Sequence, residues 1–292
     1  MFVKTKLALA ALSLTISFAA NAEHRVLIVE GQNNHKIWPE SSPLMKGWLE
    51  QTGLFTVDIV RTPPAGGDMS VFKPDFTAYD VVLSNYNGEP WSAATEKAFE
   101  EFVAGGGGVV SVHAANNSFP AWKAYNEMIG IGGWGDRMES AGPYLRLREG
   151  KWVQDKTTPG RGGAHGTRHG FQVEIREPAH PIVEGLPAVW MHTEDELYDR
   201  LRGPAMNVTV LASAYSAPET RGTGEHEPVL MVIPYGKGRV FHTTLGHQMI
   251  SQKCVGFITT LQRGTEWAAT GKVTQKVPAD FPSKDSVSVR EP

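Results

Sequence analysis

Apolar residues fall along this chain in short blocks that switch between two periods. Arg25-Val26-Leu27-Ile28-Val29 is a near-continuous apolar run closed by Glu30-Gly31, the pattern of a strand buried on both faces. Residues 40–52 then place Leu44, Trp48 and Leu49 at helical spacing behind a Ser-Ser-Pro start, and Gly53 stops them. Residues 55–60 and 80–84 read as further strands, the second opening into a polar loop over 85–90. Residues 92–104 put Ala94, Ala98, Phe99, Phe102 and Val103 on one face, after Ser92 as N-cap and before four glycines. A fourth strand, 109–112, runs into His113 and a helical segment over 114–129. Strands alternating with helices at this spacing predict βαβ units and an α/β fold, a mainly parallel central sheet with helices on both faces.

Residues 131–170 are Gly-rich and hold neither period, so they are expected to form a long irregular excursion over the C-terminal edge of the strands. Further strands are predicted over 171–175, 208–212, 229–233 and 239–243, the last two joined by a hairpin-like connection. A final helix is expected over 251–269 with Cys254 one turn into it. Beyond Gly271 the chain is polar and is expected to pack loosely. With no repeat or clear linker, 23–272 reads as one domain and 273–292 as a C-terminal tail.

The N-terminus stands apart. Lys4 and Lys6 precede an apolar run from Leu7 to Ala20, and Ala20-Asn21-Ala22 has the small-x-small form of a cleavage site. Residues 1–22 are therefore expected to be a signal peptide, because the run is shorter than the roughly 20 residues that span a bilayer. The mature protein is expected to be periplasmic or secreted, with no membrane anchor. Composition narrows its chemistry: a single Cys in 292 residues excludes a disulfide framework and a Cys-rich metal site. A formal net charge of −3 argues against a nucleic-acid partner.

Ligands of open parallel sheets bind beyond the carboxyl ends of the strands. That rule selects Glu30, Asn33, Asn34 and His35, then Asn85, Tyr86 and Asn87, then His113, Asn116 and Asn117, and finally His247. His113 sits where a strand turns sharply, the position that presents a nucleophile in hydrolases; an imidazole there suits general acid or base work. A histidine packed at the sheet edge is the structural alternative. His247 follows Gly246 beyond the last strand and is expected at the same edge, while His242 lies within the strand and reads as structural. His165 and His169 share a His-x-x-x-His spacing among glycines, which makes a chelating helix a poor fit and leaves loop residues over the site or a metal pair as readings. The segment 191–198 gathers His192, Glu194, Asp195, Glu196 and Tyr198, in part a solvated turn and in part a source of a carboxylate that orients an imidazole. His180 reads as structural, and His24 and His226 as exposed. Trp38, Trp91, Trp122 and Trp134, interleaved with amides and Arg137, favour a polar neutral ligand such as a sugar.

Five segments in order carry a family resemblance: Val-Val-Ser-Val-His-Ala-Ala (109–115), His-Pro-Ile-x-x-Gly-Leu-Pro (180–187), Asp-Glu-Leu-Tyr (195–198), Glu-Pro-Val (227–229) and Gly-Lys-Gly-Arg-Val-Phe-His-Thr-Thr-Leu-Gly-His (236–247). Together they resemble the trehalose-utilisation, or ThuA-like, family over residues 25–272. The resemblance implies a flavodoxin-like fold related to class I glutamine amidotransferases, and an association with disaccharide and keto-sugar catabolism. In those relatives a cysteine occupies the elbow and a His-Pro-Glu follows the last strand. Here His113 and His247-Gln248-Met249 stand instead, so glutaminase chemistry is not expected.

The leading expectation is an enzyme that cleaves or converts a glycoside or 3-keto-glycoside, as hydrolase or lyase, with His113 and His247 as acid and base and Asp195 orienting an imidazole. Asn33, His35, Trp38, Asn87, Asn116, His165, His169, His192 and Glu196 are the candidate substrate-binding residues. No cofactor is expected, and the partner is a small sugar, with the oligomeric state left open. Two alternatives stand beside it: a non-catalytic sugar-binding module, and a metal-dependent hydrolase using His165, His169 and a carboxylate.

Overall fold

The computed structural model describes residues 24–292, so the expected signal peptide lies outside the described residues. In chain order the strands are β1 (His24–Glu30), β2 (Phe55–Arg61), β3 (Val81–Ser84), β4 (Gly108–Val112), β5 (Tyr144–Arg148), β6 (Lys151–Asp155), β7 (Ala164–His165), β8 (His169–Ile175), β9 (Val189–Asp195), β10 (Tyr198–Asp199), β11 (Thr209–Ser216), β12 (Glu225–Tyr235) and β13 (Gly238–Thr243). The helices are α1 (Trp38–Glu50), α2 (Ala93–Gly105), α3 (Lys123–Ile129), α4 (Met249–Gln252) and α5 (Val255–Thr270).

Nine strands form one sheet in the order β2-β1-β3-β4-β13-β12-β11-β8-β9. The first five run parallel in flavodoxin-like order. The remaining four join by antiparallel pairings. Both faces are covered. Val26, Ile28, Val110 and Val112 pack with Phe257 and Leu261 on one side. On the other, Leu27, Val29 and Val109 pack with Phe99, Val103 and Met128. Successive residues of one strand thus point into two cores, which is why the sequence shows continuous apolar runs there. Helix α2 starts as expected, with the Ser92 hydroxyl accepting the Thr95 N–H at 3.2 Å.

Several segments differ from the sequence expectation. The excursion over 131–170 contains a hairpin, β5 with β6, and the short β7 paired with β10. After His113 the chain makes a 3-10 turn to Asn117, and a helix begins only at Lys123. The final helix is broken: Cys254 caps the N-terminus of α5, after the separate turn of α4. The tail is not loose. Ser283 O accepts the Met191 N–H at 2.8 Å at the outer edge of β9, Ser288 O accepts that of Val255 at 2.9 Å, and Phe281 packs on Trp190. Residues 189–195, where the sequence predicts in part a solvated turn, form β9, with Trp190, His192 and Asp195 fully buried.

That last difference positions the site. Counting the alternating directions across the sheet, β9 points the same way as the parallel strands, so its C-terminal end opens on the same edge as those of β1, β4 and β13. Among the described residues, no helix is long and apolar enough to cross a membrane.

Candidate functional site

The first residue beyond β9 is Glu196, and four imidazoles surround its carboxylate. His247 Nε2 lies 3.1 Å from Oε1 and His165 Nε2 3.7 Å from the same oxygen. His35 and His113 present their Nε2 atoms 3.9 and 4.0 Å from Oε2. The His35 ring centroid is 4.5 Å from that of His247 and 4.9 Å from that of His113. Each ring arrives from a different element: His35 from the loop after β1, His113 from the end of β4, His247 from the loop after β13, and His165 from β7. The last is carried over the edge by the β7–β10 pairing, which sets it opposite Tyr198.

The backbone is shaped for this convergence. His113 has a φ of +46°, the left-handed region that a non-glycine residue rarely enters, so the chain turns sharply and points the ring along the sheet edge. Its Nδ1–H donates to Thr244 O at 2.6 Å, and the Tyr198 ring stacks against it with centroids 4.1 Å apart. Gly246, at φ +112°, makes the turn that delivers His247. Gly163, at φ +88°, lets the chain before His165 lie against Trp134, whose backbone nitrogen would be 2.6 Å from any added Cβ.

Burial sets the electrostatics. It holds the His113 imidazole down at about 3 and, with help from the neighbouring His247, the His35 imidazole at about 4. His247 is lowered for the same reason, and burial raises Glu196. Near neutral pH the rings of His35 and His113 are therefore uncharged, the form that accepts a proton or binds an electrophile.

Asp195 orients an imidazole, but it is the buried ring of His192 and not one of those around Glu196. Its Oδ2 accepts from His192 Nε2 at 2.8 Å and from Gly246 N at 2.8 Å, and its Oδ1 accepts from the backbone N–H of Glu196 and of His247, both at 2.9 Å. It orients the buried ring of His192 and two loop backbones, and touches no ring around Glu196. Against burial, which opposes charge on both, the His192 imidazole is raised by its neighbours Cys254 and Asp195, and the Asp195 carboxylate is lowered chiefly by His192. His192 is likewise no pocket residue, since its side chain is fully buried.

The remaining expected residues divide. A pocket of about 470 Å³ beside Glu196 is lined by Asn34, His35, Asn87, Asn117, Trp134, His165, Tyr198 and His247. Asn87 belongs to it and donates to Asn34 Oδ1 at 2.6 Å. Asn33 accepts the His35 N–H at 2.9 Å and fixes that loop instead of facing the pocket. Trp38 packs beneath the Arg61 guanidinium and lines a small crevice behind His35 and His113. Asn116 is fully buried and bonds His242 Nε2 at 3.0 Å. His169 starts β8, donates Nδ1–H to Thr167 O at 2.7 Å and meets the Phe171 ring edge-on, so it does not join His165. Trp91 and Trp122 are not platforms but parts of a buried aromatic cluster with Phe99 and Phe119. Arg137 is buried on the carbonyls of Asn117, Ser118 and Gly133. His180 is structural, with its ring against Trp267, whereas His24 and His226 are half-buried rather than exposed.

Two features of the site were weakly legible. Glu196 was one polar residue among several, and its central position follows only from β9 being a strand. The contact of the Tyr198 ring with both His113 and Trp134 depends on long-range packing, for which aromatics beside glycines in 131–170 are the one sign in the sequence.

Comparison with known proteins agrees with this architecture. A family model described as ThuA, trehalose utilisation, matches residues 25–268. A solved ThuA-like protein from Parabacteroides merdae is 46% identical, with a TM-score of 0.89 over 92% of this chain and 98% of its own. A second, from Bacteroides uniformis, is 18% identical with a TM-score of 0.58 over 90% of this chain and 97% of its own, and shares the fold. No curated protein matches the sequence.

Proposed function

The chain belongs to the trehalose-utilisation, ThuA, family, and on that premise we propose that it is an exported enzyme cleaving 3-keto-glycosides by imidazole acid–base chemistry. The observation that carries this reading is the convergence of His35, His113, His165 and His247 on Glu196 at the mouth of a polar, aromatic-lined pocket. Ordinary glycosidases use a pair of carboxylates about the scissile bond. Here one carboxylate stands among several bases, which suits proton transfer better than direct displacement.

A ketone at C3 of a sugar acidifies the proton at C2. A neutral imidazole, that of His247, takes that proton, and the C–H electrons become the C1–C2 double bond. The C1–O bond breaks, and the departing glycosidic oxygen takes a proton from the partner acid. Glu196 Oε1 lies 3.1 Å from His247 Nε2 and keeps that ring at the mouth of the pocket. Trp134 supplies a ring face for the sugar, and Asn34, Asn87 and Asn117 supply amides for its hydroxyls. The elbow residue is His113 and the one cysteine, Cys254, is fully buried away from it, so the glutaminase reaction of the related fold is not proposed.

Turnover of a panel of 3-keto-glycosides and their unoxidised parents tests the proposal. Release of the aglycone from the keto compounds alone is expected. His113→Ala and His247→Ala are each expected to lower it at least about a hundredfold. Saturable binding without product would identify a sugar-binding module and defeat the enzymatic reading.

A further inference from the structure

Three of the four imidazoles around Glu196, those of His35, His113 and His165, are oriented in a way that hydrogen bonding to that carboxylate does not explain. His113 Nδ1 is 2.6 Å from Thr244 O, and His165 Nδ1 is 2.8 Å from Gly166 O. A carbonyl oxygen can only accept, so both rings carry their proton on Nδ1, and when neutral each aims an Nε2 lone pair at Glu196. His113 Nε2 is buried and has no hydrogen-bond partner. Lone pairs facing an anionic carboxylate repel unless positive charge lies between them. At 3.9 and 4.0 Å, the His35 and His113 contacts with Oε2 are too long for hydrogen bonds.

We propose that His35, His113 and Glu196 are the ligands of a divalent transition-metal ion, with His247 and His165 beside it. The three donor atoms all lie within 4.8 Å of one another. Bonds of roughly 2.0–2.2 Å to imidazole nitrogen and carboxylate oxygen allow ligand atoms up to about 4.2 Å apart, so closing on one ion needs only small side-chain shifts. His113, with Nδ1–H donated to a backbone carbonyl and Nε2 free, is held as ligating histidines commonly are, whereas His35 Nε2 lies 3.3 Å from Asn34 Nδ2, a contact that a bound ion would replace. Two imidazoles and one carboxylate suit zinc, iron, nickel or copper rather than magnesium or calcium. Three protein ligands leave coordination positions open towards the 470 Å³ pocket, the mark of a catalytic rather than a structural ion. When bound, such an ion polarises a carbonyl or hydroxyl oxygen as a Lewis acid. The His165 and His169 pair does not form this site, since only His165 reaches Glu196.

Titration of chelator-treated full-length mature protein with Co²⁺ alone, followed by visible absorption, and with Zn²⁺ alone, followed by equilibrium dialysis, tests the assignment without any sugar. One equivalent of each ion is expected to bind, Zn²⁺ displacing Co²⁺ and its absorption band. His35→Ala and Glu196→Gln, both at partly exposed positions, are expected to weaken binding at least about tenfold while leaving the circular dichroism unchanged. His169→Ala is expected to bind as wild type. The assignment is overturned if neither ion binds saturably, if binding survives both ligand substitutions, or if His169→Ala abolishes it equally. Because no sugar is present, a failure here leaves the 3-keto-glycoside proposal standing, and the converse also holds.

Discussion

Asp195 accepts the backbone N–H of His247 at 2.9 Å, while the His247 ring turns away from it to meet Glu196 at 3.1 Å. Adjacent carboxylates thus divide the work. The buried one fixes the loop backbones that carry Glu196 and His247, and the half-buried one faces the imidazoles. In Asp195→Asn, one carboxylate oxygen becomes an NH₂ that cannot accept the N–H groups now aimed at it. Chemical denaturation should show a loss of about 3 kcal/mol, the scale of a broken buried charge pair. An unchanged midpoint would remove Asp195 from this anchoring role.

Glu196→Gln should behave in the opposite way. Burial already works against the charge on Glu196, so a neutral isostere is expected to shift stability by less than about 1 kcal/mol while turnover falls at least about a hundredfold. A large stability loss with modest kinetic change would exchange the roles given to the two carboxylates.

His242 offers a pH test away from the site. It is fully buried between Ile129 O and the Asn116 amide, and burial lowers it to about 4. Unfolding returns the ring to its ordinary value near 6.5, so between these limits the unfolded chain binds a proton that the native protein does not. The stability due to the neutral ring is present above pH 6.5 and lost as pH falls towards 4. Urea denaturation across that range should show His242→Gln losing stability less steeply than wild type, by about 1.4 kcal/mol per pH unit. Parallel profiles would contradict the assignment.

The parallel half of the fold was legible because residues such as Val26 to Val29 and Val109 to Val112 are buried on both faces and must be apolar. His113 and His247 were legible for a related reason, since the ends of such strands are easily found. Strand β9 was hidden because two of its buried side chains, His192 and Asp195, are polar and satisfy each other, which looks in sequence like a solvated turn. Missing that strand displaced Glu196 from the centre of the site. His165 depends on a two-residue pairing with β10, and His169, four residues on, already belongs to the sheet. Trp91 and Trp122 stand near edge loops in sequence yet fold into the aromatic core, because a cluster of packed aromatic rings buries more apolar area than a solvated loop can.

Proton exchange tests the central claim most directly. A 3-keto-glycoside incubated with the protein in D₂O and followed by NMR should gain deuterium at C2 and release its aglycone, and Glu196→Gln, with His113→Ala and His247→Ala, should suppress both. Recovery of undeuterated, intact substrate from the metal-replete wild-type protein would contradict the account.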